Sequence, residues 1–393
     1  MKKYPLHRMA VAVTILCCVP WVIASDLPTK LPVPQPKPLV QLAILLDTSG
    51  SMSGLIDQAR IELWSIVNQF IWARQKGIAP EVQVALFEYG NDGLPQEKGY
   101  IRQIVAFTTD LDRVSQELFA LKTNGGSEYC GWVIKDAVEQ LQWTTDPNGL
   151  KVLFIAGNEP FTQGPIDYRQ TCKAAIEKGI VVNTLHCGTE SEGVNGQWDN
   201  GARLADGRFL SIDHNRQVAY MAAPQDAEIS ALNIRLNETY LAFGMQGMAF
   251  RERQTAQDLN ALTASPEAAM QRAVAKASAH YINAEWDLVD ALSHKEADLG
   301  KIPDDQLPQA MRGLSVQEKK AYVATRSHER SEIQRQIQTL NQQREQYVAA
   351  ERAKQQSNGN TLGSAIVQAV RQQAAAKRFD FVDTTPRKEG VNP

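Results

Sequence analysis

The sequence predicts an α/β protein: a doubly wound, mostly parallel sheet flanked by helices, followed by an all-α region with one long helix. Three observations carry this. Short apolar runs of strand length, among them Leu42–Leu46 and Lys151–Ala156, alternate with amphipathic helical stretches. That alternation implies a parallel sheet covered on both faces. From Phe250 onward the composition turns to Ala, Gln, Glu, Arg and Lys, with helical spacing throughout.

In chain order, Met1–Arg8 carries Lys2, Lys3 and Arg8, and Met9–Ile23 is apolar with small residues at its end. This is the pattern of a secretory signal peptide over residues 1–24, cut after Ala24. The apolar run is short for a membrane span, so no integral membrane segment is expected after cleavage, and the protein is expected to be periplasmic or secreted. Residues 25–38 hold five prolines and read as an extended linker. Val40–Leu46 is the first strand, Leu55–Gln75 a helix, and Glu81–Tyr89 and Tyr100–Phe107 a hairpin across the turn at Asn91-Asp92-Gly93. Helices follow over Asp110–Leu121, Trp132–Trp143 and Ile166–Lys178, with strands at Lys151–Ala156 and Ile180–Cys187. The glycine- and asparagine-rich stretch Gly188–Gly207 interrupts the pattern. Short strands at Arg208–Ile212 and Val218–Ala222 and a closing helix at Asp226–Tyr240 complete a first domain, 39–244.

The helical region spans 245–383. Ser265-Pro266 starts one helix, with Ser as cap and Pro at the first helical position. Ser315 and Glu318 form a capping-box pair for a long, coiled-coil-like helix over about 316–354. Its apolar stripe, Ile333, Ile337, Leu340 and Tyr347, is narrow and interrupted by Arg330 and Arg344, which suggests an extended arm or a loose helical hairpin. Ser357–Asn360 breaks it, Thr361–Arg371 forms a last helix, and 384–393 is a flexible tail. There are no internal repeats.

The chemistry concentrates where the first strand ends. Asp47 closes the strand, and Ser49 and Ser51 offer hydroxyls within four residues, around Gly50. Oxygen donors alone suit a hard divalent cation such as Mg²⁺, with Mn²⁺ or Ca²⁺ as alternatives, rather than zinc. The residues Asp47-Thr48-Ser49-Gly50-Ser51 resemble the D-x-S-x-S motif of the von Willebrand factor A (VWA) family, as in exported bacterial VWA-domain proteins with a helical C-terminal region. That resemblance implies a VWA or Rossmann-like sheet and a metal-ion-dependent adhesion site (MIDAS). It also implies a second-loop Thr and a third-loop Asp. Ser127, after Gly125-Gly126, matches the Thr position; Glu128 beside it either adds charge or turns outward. In the third loop the family's Asp is replaced by Gly157. Asn158 and Glu159 stand as possible metal ligands there; otherwise the site has lost a ligand, or takes one from a partner.

What the resemblance implies is a protein-binding module for adhesion or assembly, in which a partner's Asp or Glu carboxylate completes the metal's coordination. The alternative is a structural cell-envelope protein with a vestigial metal site. Self-association through the C-terminal helices is a further option. A net charge of −3 offers no nucleic-acid surface. An enzyme is not expected: there is no P-loop, the loop lacks a second Asp, and of the histidines in the first domain, His186 lies in a buried strand and reads as a core residue, leaving His214. Cys130, Cys172 and Cys187 remain after signal cleavage and are disulfide candidates of unspecified pairing.

Overall fold

Strands of unbroken apolar residues need cover on both faces, and here they have it. The computed structural model describes residues 36–212, 220–354 and 362–381. The expected signal peptide, nearly all of the linker, His214 and the tail from Thr384 lie outside them. In chain order the first elements are β1 (Leu39–Asp47), α1 (Ser53–Asn68), β2 (Ala73–Arg74), β3 (Glu81–Tyr89), β4 (Ile101–Thr108), α2 (Leu111–Ala120) and α3 (Cys130–Gln140). Next come β5 (Leu150–Gly157), α4 (Tyr168–Glu177), β6 (Val181–Cys187), α5 (Glu190–Asn195), α6 (Trp198–Leu204), β7 (Phe209–Ile212) and α7 (Asp226–Glu238).

The main sheet has the order β4-β3-β1-β5-β6-β7. All its pairings are parallel except the expected β3–β4 hairpin at one edge. From β1 the chain moves to β3 on one side and then to β5 on the other. The carboxyl ends of these strands therefore bracket a topological switch point, the place where open α/β sheets bind ligands. The two faces carry separate apolar cores. One unites Leu42, Leu46 and Phe154 with Leu63, Trp64 and Val67 of α1. The other joins Leu45, Phe87 and Ile155 to Val133 and Ile134 of α3 and Cys172 of α4.

Three expectations change. The first helix stops at Asn68, not Gln75. Short i to i−3 bonds from Gln69, Phe70 and Ile71 close it, and the bulky Phe70 and Ile71 turn into the interior instead. The stretch Gly188–Gly207 holds α5 and α6 rather than irregular chain, α5 being started by a capping box of Thr189 and Glu192. At Val218–Ala222, the described residues from Tyr220 form no strand.

The C-terminal region adds α8 (Gly247–Ala264), α9 (Pro266–Lys276), α10 (Leu288–Ser293), α11 (Val316–Lys354), α12 (Leu362–Ala376) and β8 (Asp380–Phe381). The caps at Ser265 and Ser315 form as expected. The described residues from Lys37 onward make one compact unit. Ile366, Val370, Ala374 and Phe379 complete the first apolar core, and β8 pairs antiparallel with β2. The long helix is no free arm. Ile333 and Ile337 pack among α7 and α9 residues, and the arginines that interrupt its stripe are its anchors. Arg330 binds Asp287 and Asp290, and Arg344 binds Asp226 and Glu267.

A third arginine ties the helical region to the sheet domain. Arg272 of α9 is buried, reaches Asp112 of α2 at 2.7 Å and Asp258 at 2.5 Å, and stacks over Trp64 of α1. Removing one partner of a buried pair leaves the other charge stranded, at a cost of about 3–5 kcal/mol. Arg272→Ala is therefore expected to lower unfolding free energy in a urea titration by about that amount. Glu139→Ala, which breaks the exposed Lys135–Glu139 pair, is expected to change it by less than about 1 kcal/mol.

Candidate metal centre

Three loops meet at the switch point. The first follows β1. Asp47 is fully buried; its Oδ1 accepts the Ser49 backbone N–H at 2.7 Å, and the Asn158 backbone N–H also points to its carboxylate. Ser49 and Ser51 lie with their hydroxyl oxygens 3.4 Å apart. The DTSGS stretch thus folds as its residues suggest, with both hydroxyls on the side of the carboxylate.

The second loop brings in a residue that the motif pattern passed over. Glu128, not Ser127, turns inward. The Glu128 side chain is buried, shares a hydrogen bond with Ser49, and feels the charge of Asp47. Ser127 is half-buried and forms no hydrogen bond to Asp47, Ser49 or Ser51 among the described residues. Gly90 makes room for this. At φ +78° it takes a backbone conformation that side chains disfavour, and a Cβ there would lie 2.6 Å from Glu128 Cγ and 2.9 Å from Asp47 Oδ1. The backbone N–H of Glu128 is held by Gln163 Oε1 at 2.6 Å. Neighbouring residues of a glycine loop have no periodicity, so spacing could not tell which of the two faced inward.

The third loop explains its own departure from the motif. A Cβ at Gly157 would start 2.5 Å from the Tyr89 hydroxyl oxygen and 3.1 Å from Asp47 Oδ2. The Tyr89 hydroxyl donates to Ala156 O at 2.9 Å and fills the space that a third-loop carboxylate would need. Asn158 follows Gly157 in the loop. Its Nδ2 donates to Ser51 Oγ at 3.2 Å, which ties the third loop to the first. Glu159 forms no side-chain hydrogen bond to these residues among those described, and acts on Asp47 and Glu128 only through its charge.

The electrostatics are unusual. Asp47 Oδ2, Glu128 Oε2 and Asn158 Oδ1 are all buried and accept no hydrogen bond. Such orphans are rare, because each costs its full desolvation. Burial foremost pushes the Asp47 carboxyl from 3.8 up to about 7, against its bonds from Ser49 and with the charge of Glu159 adding to the rise. Burial and then the charge of Asp47 push Glu128 from 4.5 up to about 8. No Lys, Arg or His side chain is among the groups acting on either. Among the described residues no group of three His, Cys, Asp or Glu side chains is placed to hold a metal ion by itself. The donor set is two carboxylates with an amide and hydroxyl oxygens, which fits a hard cation.

The cysteines stand apart from this chemistry. Cys130, Cys172 and Cys187 are buried free thiols rather than a disulfide pair with a spare, and burial pushes all three up. His186 is buried as expected, but neither ring nitrogen has a hydrogen-bond partner; its ring lies 5.6 Å from that of Trp198.

A parallel sheet with one antiparallel edge, and an oxygen-rich loop at its switch point, make the doubly wound α/β fold that the sequence predicts. No protein-family model matches the chain, and no curated protein does. Among solved structures it is similar to the conserved hypothetical protein BatB from Bacteroides thetaiotaomicron, at 17% identity over 44% of this chain and 90% of that one, with a TM-score of 0.34. The SpRpn10 VWA domain is similar at 16% over 46% and 90%, with a TM-score of 0.35. Proximal thread matrix protein 1 from the mussel byssus, with a zinc-occupied MIDAS motif, is similar at 14% over 44% and 42%, with a TM-score of 0.34.

The raised carboxyls make stability depend on pH. The folded state holds these protons to about pH 7 and 8, whereas the unfolded chain releases them near 3.8 and 4.5. Their stabilising contribution is therefore complete below about pH 4 and lost as pH rises through 7 to 8. In EDTA, urea titrations are expected to show stability falling between pH 5 and 8.5. Asp47→Asn with Glu128→Gln should flatten that slope; an unchanged slope would mean that these carboxyls titrate normally.

Proposed function

We propose that the protein is an exported, divalent-cation-dependent binding module for other proteins, working through an adhesion-type metal site. The observation that carries this is the trio of unpartnered buried oxygens, Asp47 Oδ2, Glu128 Oε2 and Asn158 Oδ1, with no Lys or Arg side chain among the groups acting on the two carboxylates. Asp47, Ser49, Ser51, Glu128 and Asn158 would hold the ion, with Mg²⁺ the preferred occupant and Mn²⁺ or Ca²⁺ substitutes of the same oxygen chemistry. When bound, the cation supplies a positive centre that exchanges water for a carboxylate.

The chain's residues do the rest. Ser49 orients both carboxylates, the Asn158–Ser51 bond fixes the third loop, and Tyr89 keeps that loop from adding a further negative charge. Two protein carboxylates balance a divalent charge, so the entering Asp or Glu of a partner meets a site that is not already overneutralised. The reading is of a binding module rather than an enzyme, on the sequence pattern that lacks a P-loop and a second loop Asp. A second reading, a structural envelope protein with a vestigial site, draws on the loss of the third-loop carboxylate to Tyr89. Export rests on the basic and apolar N-terminal pattern; among the described residues no helix is long and apolar enough to cross a membrane.

Calorimetric titration separates the two readings. Mg²⁺ and Mn²⁺ are expected to bind saturably, with binding abolished in Asp47→Ala and weakened at least about tenfold in Glu128→Gln, a loss of about 1.4 kcal/mol. Ser127→Ala should stay within about twofold, since Ser127 is not held in the cluster. Poly-aspartate should then be retained in Mg²⁺ and released in EDTA. Absence of metal binding would leave the vestigial reading. For export, the N-terminus isolated from a secreting bacterial host is expected at Ser25; an intact Met1 would remove that part of the proposal.

A further inference from the structure

Nothing within the second loop fixes Glu128, rather than Ser127, toward Asp47. Backbone bonds tie Asn124 to Thr48 at 3.0 Å and Gly125 to Asp92 at 2.6 Å, and neither reaches the two residues in question. Tyr129, just before α3, contributes no side-chain cap. With two glycines ahead of it, the backbone here has more than one allowed path. The inward residue has to be selected from outside the loop.

The selection comes from the segment 158–164. The Glu128 backbone N–H donates to Gln163 Oε1 at 2.6 Å, across 35 residues of chain. Gly164, at φ +95°, lies against the ring of Tyr129, where a Cβ would stand 2.5 Å from Tyr129 Cδ1. One segment thus grips the chain at Glu128 and again at the next residue. The segment is itself firmly seated. Phe161 is fully buried, edge-on to Tyr168 and Trp198 with ring centres 5.1 and 4.8 Å away. Trp198 Nε1 donates to Glu159 O at 2.8 Å, and the Gln163 N–H closes a turn onto Pro160 O at 2.9 Å. At its start, Asn158 reaches Ser51.

We propose that Gln163 is a positioning residue of the site: its amide oxygen holds the Glu128 backbone in the orientation that sends the carboxylate inward. Fixing an N–H fixes its peptide plane, and one restricted dihedral then sets where Cβ points. The bond also satisfies a donor for which no backbone acceptor is provided. Gln163 makes no hydrogen bond to Asp47, Ser49 or Ser51 among the described residues, so it acts through Glu128 alone. Two of the three unpartnered oxygens, those of Glu128 and Asn158, are therefore placed by one rigid piece of chain.

The placement of Glu128 is a property of the chain without metal, whereas its effect on cation affinity rests on the binding function proposed above. Gln163→Met separates shape from chemistry, since it keeps the side-chain length and removes the acceptor. Gln163→Glu keeps an acceptor oxygen. Both are read first without metal. On the chain beginning at Ser25, Glu128→Cys is alkylated with iodoacetamide, alone and combined with each change. With Gln163→Met, position 128 is expected to react about fivefold faster or more, the equilibrium worth of one neutral hydrogen bond. With Gln163→Glu the rate should stay within about twofold. The buried Cys130, Cys172 and Cys187 should remain unlabelled throughout, which reports an intact fold.

Calorimetric titration with Mg²⁺ is the second measurement. Gln163→Met is expected to bind about fivefold more weakly than the wild type. Gln163→Met with Glu128→Gln should bind within about twofold of Glu128→Gln alone, because both changes act through the same side chain. Equal reactivity at position 128 with and without Gln163→Met would overturn the proposal. So would a Gln163→Met variant that matches a Mg²⁺-binding wild type in affinity. A wild type that binds no Mg²⁺ would overturn the metal reading instead, and the alkylation rates would then decide the role of Gln163.

Discussion

The constraint on which the site depends is the burial of Asp47 and Glu128 against each other with no Lys or Arg side chain acting on them. Two carboxylates removed from water in one small space repel, and each has an oxygen with nothing to accept from. A folded chain bears such a cost only where the surroundings hold the groups in place. Here the holding is done by backbone. Ser49 and Asn158 present N–H groups to Asp47, Gln163 fixes the backbone of Glu128, and Gly90 and Gly157 bring the loops close enough to touch. The loops sit at the carboxyl ends of β1, β3 and β5, whose long apolar runs make the sheet rigid. The rigidity of the sheet and the strain at its edge belong to one arrangement.

The helical region is part of the same body rather than an appendage. It is fastened at two kinds of contact. Apolar residues of α12 and the following turn finish a core that the sheet begins, and buried arginines join α9 and α11 to carboxylates around them. Arg272 lies over Trp64 on α1, the helix that starts four residues after Ser49. The contact places a buried charge network directly on the element that follows the loop of Asp47, Ser49 and Ser51. The polar inner face of α8 follows from this network too: Asp258 belongs to it, so the helix turns Asp258, Gln254 and Gln257 inward and Met248, Leu259 and Leu262 to solvent.

The alternation of strands and helices was readable because period-two and buried runs differ from helical spacing over several residues. The capping signals at Ser265 and Ser315 were readable because a cap is a local bond between near neighbours. Residues Phe70 to Arg74 were misread as helix, since what ends α1 is packing against residues some two hundred positions away, such as the bond of Asn68 to Gln271. Arg330 and Arg344 looked like flaws in an apolar stripe, and only their distant carboxylates show them to be anchors.

By itself the sequence determined the sheet, the position of Asp47 at its edge, and the hydroxyl-bearing loop that follows. These are properties of contiguous residues, where bond geometry and burial act over a few positions. It also displayed the missing third-loop Asp at Gly157. Tertiary structure alone decided that Glu128 rather than Ser127 faces the site, that the Tyr89 hydroxyl fills the vacated place, and that three oxygens are left without donors. Each of those outcomes depends on three loops, about 30 to 110 residues apart, meeting at a point. Which side chain fits there is a matter of ångströms, and no periodicity along the chain encodes it.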